Sequence, residues 1–197
     1  MNPQFWWYVS RSGALVAAVL LVASLVFGVL MATRALKPLD KPSWMLAMHR
    51  WFSLLAVFGT ALHLIGLVAD NFVHFGWVEL FVPFGSSWKT IPVAIGVIAF
   101  YLFAIVQISS WMMKRIPRRL WRSLHMSSYG LVWLVFVHAG LAGTDVRNRV
   151  YAVVALILTI LAVWASIVRL TVGRPQRGGS TKQRSDLAGD EVEMVEV

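Results

Sequence analysis

The chain contains no cysteine. That single absence removes disulfides, thiolate metal ligands, iron–sulfur clusters and thiol catalysis together. Carboxylates are also scarce. Only Asp40, Asp70, Glu79 and Asp145 precede residue 173, and the other five acids fall in the tail that begins at Gly173. None lies inside a long apolar run, which argues against a proton relay and against ion-coupled transport, both of which call for intramembrane carboxylates or broken helices. The hydrophilic segments hold no glycine-rich strand-to-helix fingerprint, so no dinucleotide-binding unit is expected in them. No internal repeat stands out.

What remains is overwhelmingly apolar. Of 197 residues 58% are hydrophobic, ten are tryptophan and the mean hydropathy is +0.70. A soluble domain of that size cannot cover so much apolar surface, so the expected class is an all-α integral membrane bundle. Five runs have the length of about 20 residues that a bilayer core requires. They are 13–33, 45–69, 91–113, 120–141 and 150–170. The first is too long for a signal-peptide core and has no A-x-A cleavage site after it, so it counts as a span.

The net charge of +9 is unevenly placed. One set of connections carries Arg34, Lys37, Lys41, Arg50, Lys114, Arg115, Arg118, Arg119, Arg122 and Arg169, whereas the opposite side holds Arg11, Lys89, Arg147 and Arg149. Bases beside hydrophobic spans are explained by orientation and anionic lipid, with no nucleic-acid partner implied. The positive-inside rule puts the N-terminus outside and the C-terminus in the cytoplasm of a multi-pass plasma-membrane protein. Trp6, Trp7, Trp44, Trp88, Trp111 and Trp121 fall near span ends, as an interfacial aromatic belt does. The expected organisation is a transmembrane domain over 1–172 and a disordered cytoplasmic tail over 173–197, which lacks apolar periodicity. Residues 71–90 are rich in aromatics and read as an interfacial helix and turn on the outer surface.

Four histidines interrupt the apolar runs. His49 and His63 are fourteen residues apart in the second run, and His125 and His138 thirteen apart in the fourth. At 1.5 Å rise per residue each pair is separated by roughly 20 Å along its axis, against a bilayer core about 30 Å thick. Both runs point the same way, so His49 lies level with His125 near the cytoplasm and His63 level with His138 near the outside. Two imidazoles at each of two levels suit the axial positions of two haem b groups. A zinc site would need three or four close ligands, and a lone helical histidine can also be a hydrogen-bonded core residue. At about 100° per residue, fourteen positions leave His49 and His63 roughly 40° apart, but thirteen leave His125 and His138 about 140° apart. The fourth span must therefore bend or tilt, or its haems be approached from different flanks, and Ser127, Ser128 and Gly130 between the two histidines could permit a local distortion. Arg50 and Arg122 stand at the cytoplasmic level, where a guanidinium suits a haem propionate and equally suits a positive-inside anchor. His74 and the methionines at 45, 48 and 126 read as surface and packing residues.

The blocks HRWFSLLAVFGTALHLIGLVAD and RRLWRSLHMSSYGLVWLVFVHAGLAGTD resemble the ferric reductase-like transmembrane domain superfamily. That superfamily includes NADPH oxidases, ferric reductases and the haem subunit of the periplasmic methionine sulfoxide reductase system. VPFGSSWKTIPVAIGVIAFYL and HAGLAGTD resemble its stand-alone actinobacterial members. The likeness covers about 10–170, and it implies haem-iron ligation by His49, His63, His125 and His138. Many relatives have six spans where this chain shows five, and the flavin- and nucleotide-binding domains of the oxidases are not seen. The expectation is a membrane conduit that takes electrons from a separate flavoprotein, a ferredoxin-type donor or quinol. It would pass them to an extracytoplasmic acceptor or redox partner. The alternatives are a terminal reductase of ferric chelates or oxygen acting by itself, and a haem-free scaffold or transporter.

Overall fold

The computed structural model describes residues 4–36, 41–70, 75–143 and 148–172; His74, Asp145, Arg147, Lys37 and the tail lie outside the described residues. The chain is an all-α integral membrane bundle. Its helices are α1 (Phe5–Thr33), α2 (Pro42–Ala69), α3 (Trp77–Phe81), α4 (Thr90–Trp111), α5 (Arg118–Met126), α6 (Ser128–Ala142) and α7 (Arg149–Val172). Five segments are long and apolar enough to cross a membrane, with α5 and α6 together forming the fourth. Proline marks several starts. Pro42 occupies the first turn of α2, where its missing N–H costs nothing, and Pro117 precedes α5. The left-handed Arg34 (φ 54°) ends α1.

The first helix starts eight residues before the apolar run that marks it in the sequence. Hydropathy drops at Arg11 and Ser12, but the backbone stays helical back to Phe5, and the Ser12 hydroxyl is satisfied by the carbonyls of Tyr8 and Val9. Arg11 lays its guanidinium over the Trp7 ring at 4.8 Å.

Helices α1 and α2 form the closest seam. A Cβ placed on Gly66 would lie 2.6 Å from the Ser10 nitrogen, and one on Gly59 3.0 Å from the Ala17 nitrogen, so only hydrogen at these positions lets the backbones meet. In the bundle interior Val22, Leu25 and Val29 of α1 pack with Val132 of α6 and with Leu158, Ala162 and Ala165 of α7. The two alanines are fully buried. By contrast, Leu156, Ile160 and Ile167 of α7 are exposed, as lipid-facing side chains must be.

The fourth span is broken at Ser127, so of the alternatives that the histidine spacing left open the structure shows a local distortion. Ser127 donates its N–H to the Leu124 carbonyl at 3.2 Å, three residues back, and its hydroxyl to the same carbonyl at 2.6 Å. A three-residue turn winds about 120° per residue against about 100° for the α-helix, which closes part of the angular gap between His125 and His138. Beyond α2, Glu79 accepts the Gly76 N–H at 2.9 Å to cap the short α3. The turn that follows puts Phe84 (φ 66°) and Lys89 (φ 42°) in the left-handed region. Lys89 then donates to the Leu141 and Ala142 carbonyls at 3.3 and 3.2 Å, strapping this segment to the C-terminus of α6.

Candidate cofactor site: two facing histidine pairs

The four intramembrane histidines come together two by two. The rings of His49 and His125 have centroids 5.9 Å apart, and those of His63 and His138 are 6.4 Å apart. Two metal–imidazole bonds of about 2 Å, plus about 1 Å from each nitrogen to its ring centre, put two centroids about 6 Å apart. Both separations therefore leave room for one metal atom between the rings. Among the described residues no three His, Cys, Asp or Glu side chains converge. Two protein ligands do not complete a site of the zinc type, but they do complete a macrocycle that brings four nitrogens of its own.

The far side of each ring is tied back. Nδ1 of His49 donates to the Ser24 carbonyl at 2.8 Å, Nδ1 of His63 to the Ser10 carbonyl at 3.0 Å, and Nδ1 of His138 to the Pro92 carbonyl at 2.8 Å. A carbonyl can only accept, so these three rings carry their proton on Nδ1 and keep Nε2 as a lone pair. Nδ1 of His125 lies 3.3 Å from the Ser110 hydroxyl, whose own proton goes to the Val106 carbonyl at 2.7 Å. That chain gives His125 the same tautomer through a weaker acceptor. Metal-bound imidazoles are held in this way by a partner on the second nitrogen.

Ser10 and Ser24 were not legible as site residues, yet their signal is in the sequence. They are fourteen apart, the separation of His49 and His63, and two antiparallel helices bring such ladders into register. Each also sets its hydroxyl 3.0 Å from the same Nδ1. Gly96 is the other unforeseen residue. A Cβ there would meet His138 Cε1 and Nδ1 at 2.6 Å, so α4 can lie against that ring only with glycine.

A cavity of about 930 Å³ opens beside His63 and His138, within the roughly 300–1,000 Å³ of cofactor sites. Its walls are mainly apolar, with Leu21, Phe103, Leu131 and Val135 among them, and Thr60 and Arg11 adding polar groups. At the other level Arg50 and Arg122 are exposed near His49 and His125. Met45 is buried packing, and Met126 receives an Arg169 N–H on sulfur at 4.0 Å. Lys89 is held by the end of α6.

Comparison with known proteins gives a family match. The sequence model described as ferric reductase like transmembrane component matches residues 13–137, a stretch that contains His49, His63 and His125 and stops one residue before His138. No curated protein and no solved structure matches the chain.

Proposed function

The chain belongs to the ferric reductase-like transmembrane component family, and from that premise we propose that it is a di-haem b electron-transfer protein of the membrane. The observation that carries this reading is the convergence of two imidazole pairs, at 5.9 and 6.4 Å, on opposite halves of one bundle. His49 and His125 would hold one haem on the cytoplasmic side, and His63 and His138 a second on the outer side. Bound haem supplies a one-electron ferric/ferrous couple with both axial positions filled, which favours outer-sphere transfer.

The chain's own residues do the rest. Ser10, Ser24, Pro92 and Ser110 hold the rings in one tautomer, so little reorganisation accompanies a change of charge between them. Apolar walls such as Leu21 and Leu131 keep water from the outer level. Arg50 and Arg122 bind propionate carboxylates, for which a guanidinium offers paired donors. Electrons come from a cytoplasmic or quinol donor, either a separate flavoprotein or a ferredoxin-type protein in the first case. They leave to an extracytoplasmic acceptor or redox partner.

Pyridine haemochrome analysis of the purified protein is expected to give two extractable b haems per chain. EPR of the four single His→Ala variants is expected to fall into two classes, His49 with His125 and His63 with His138, each losing one low-spin signal. One haem per chain or none overturns the reading, as does a common haem perturbed by both His49→Ala and His63→Ala.

A further inference from the structure

Helix α5 carries Arg118, Trp121, Arg122 and His125 at positions i, i+3, i+4 and i+7, which is one face of a helix. The Trp121 ring stacks on His125, with centroids 5.2 Å apart and planes 22° from parallel. Its Nε1 is buried and has no hydrogen-bond partner, and it is the only side-chain nitrogen or oxygen among the described residues in that state. A buried donor left unmade is costly, and natural proteins provide an acceptor in nearly every case. Within the sequence Trp121 passes for a member of the aromatic belt, but a belt indole turns its N–H toward the headgroups and water. This one is closed off beside a histidine of the cytoplasmic-side pair.

We propose that the Trp121 indole N–H is a hydrogen-bond donor to a carboxylate of the haem held by His49 and His125. This rests on the di-haem reading above and adds a residue to it. The stacking fixes the indole against the ligand ring, so its N–H would lie close to a haem held by that ring. Arg118 and Arg122 on the same helix face add positive charge there. An indole donor on a propionate offsets part of the carboxylate's negative charge near the iron, which favours the ferrous state. Trp121 is thus a cofactor-binding residue whose loss is read as a change in potential.

The test uses the haem-loaded protein. Trp121→Phe keeps an aromatic ring against His125 and removes the N–H together with the five-membered ring that carries it. Potentiometric titration is expected to show the midpoint of one haem, the one whose EPR signal His125→Ala removes, shifted downward. The expected size is about threefold to tenfold in its reduction equilibrium, at about 59 mV per tenfold for one electron. The haem of His63 and His138 stays where it was. Unchanged midpoints for both haems, with haem content retained, overturn the proposal and leave the di-haem reading intact. Such a result would mean that the acceptor is a lipid headgroup or that the ring only packs. A second measurement needs no substitution. The ultraviolet resonance Raman band sensitive to indole N–H bonding, compared between haem-free and haem-loaded protein, is expected to show one more bonded indole on loading. No gain on loading overturns the proposal as well.

Discussion

At the scale of single residues, the placement of the rings depends on atoms that are not ligands. Gly96 is the sharpest case, because a methyl there would sit 2.6 Å from two atoms of the His138 ring. The ring would have to turn away and give up its 2.8 Å bond to the Pro92 carbonyl. Gly96→Ala is therefore expected to remove or broaden the same EPR signal as His138→Ala and to leave the signal of the His125 haem unchanged. Gly130→Ala is the matched control. Nothing lies within 4 Å of a Cβ at that position, so haem content and both signals should match the parent protein. Absorption and EPR spectra of the two variants decide the point. An unperturbed outer haem in Gly96→Ala would mean that α4 can move aside.

At the scale of elements, two pieces of packing fix the histidine levels. The α1–α2 seam carries Ser10 to His63 and Ser24 to His49, and it can do so because Gly66 and Gly59 let the backbones touch. Gly66→Ala would press a methyl to 2.6 Å from the Ser10 nitrogen. Overpacking of this kind costs about 1–3 kcal/mol, and it displaces the very residue whose carbonyl orients His63. Thermal unfolding in detergent is expected to show a lower Tm, and the outer haem should be lost before the inner one. Equal loss of both would separate the seam from the outer site. The other piece is the break at Ser127, which lets one membrane span present two histidines that a straight helix would turn about 140° apart. The Lys89 strap, reaching from the start of α4 to the last carbonyls of α6, holds the end of that span just beyond His138.

At the scale of the whole molecule, the positive-inside charge pattern predicts how the bundle is oriented in the membrane. The absence of cysteine makes this directly measurable, because any introduced thiol is the only one. Lys114 and Ser87 are both exposed and lie at opposite ends of α4. In intact cells a membrane-impermeant maleimide is expected to label Ser87→Cys, and Lys114→Cys only after the membrane is opened. The reverse pattern would place the His63–His138 level on the cytoplasmic side. The described segments between the helices are short connections. Purified haem-loaded protein is expected to stay oxidised with NADPH alone and to become reduced with dithionite. Rapid reduction by NADPH without a flavoprotein would reveal a nucleotide site on this chain.

The sequence by itself determined the class and the spans, and it singled out four histidines that the structure brings together in two pairs. Bilayer thickness sets a minimum length for an apolar run, and an ionisable group inside such a run is too costly to be incidental. Both signals are local, so hydropathy and four histidines suffice to read them. The angular mismatch of His125 and His138 left a bend, a tilt or an approach from different flanks open, and the structure shows the break at Ser127. Only the tertiary structure decided what backs each ring and how closely the helices approach. Ser10, Ser24, Pro92 and Ser110 act through carbonyls and hydroxyls brought from other helices, and a backbone carbonyl leaves no trace in the identity of its residue. Trp121 likewise passes for one more interfacial aromatic until its N–H is seen to be buried without a partner. Such roles belong to pairs of positions far apart in the chain, 53 residues in the case of Ser10 and His63, and only the packing of α1 on α2 brings them together.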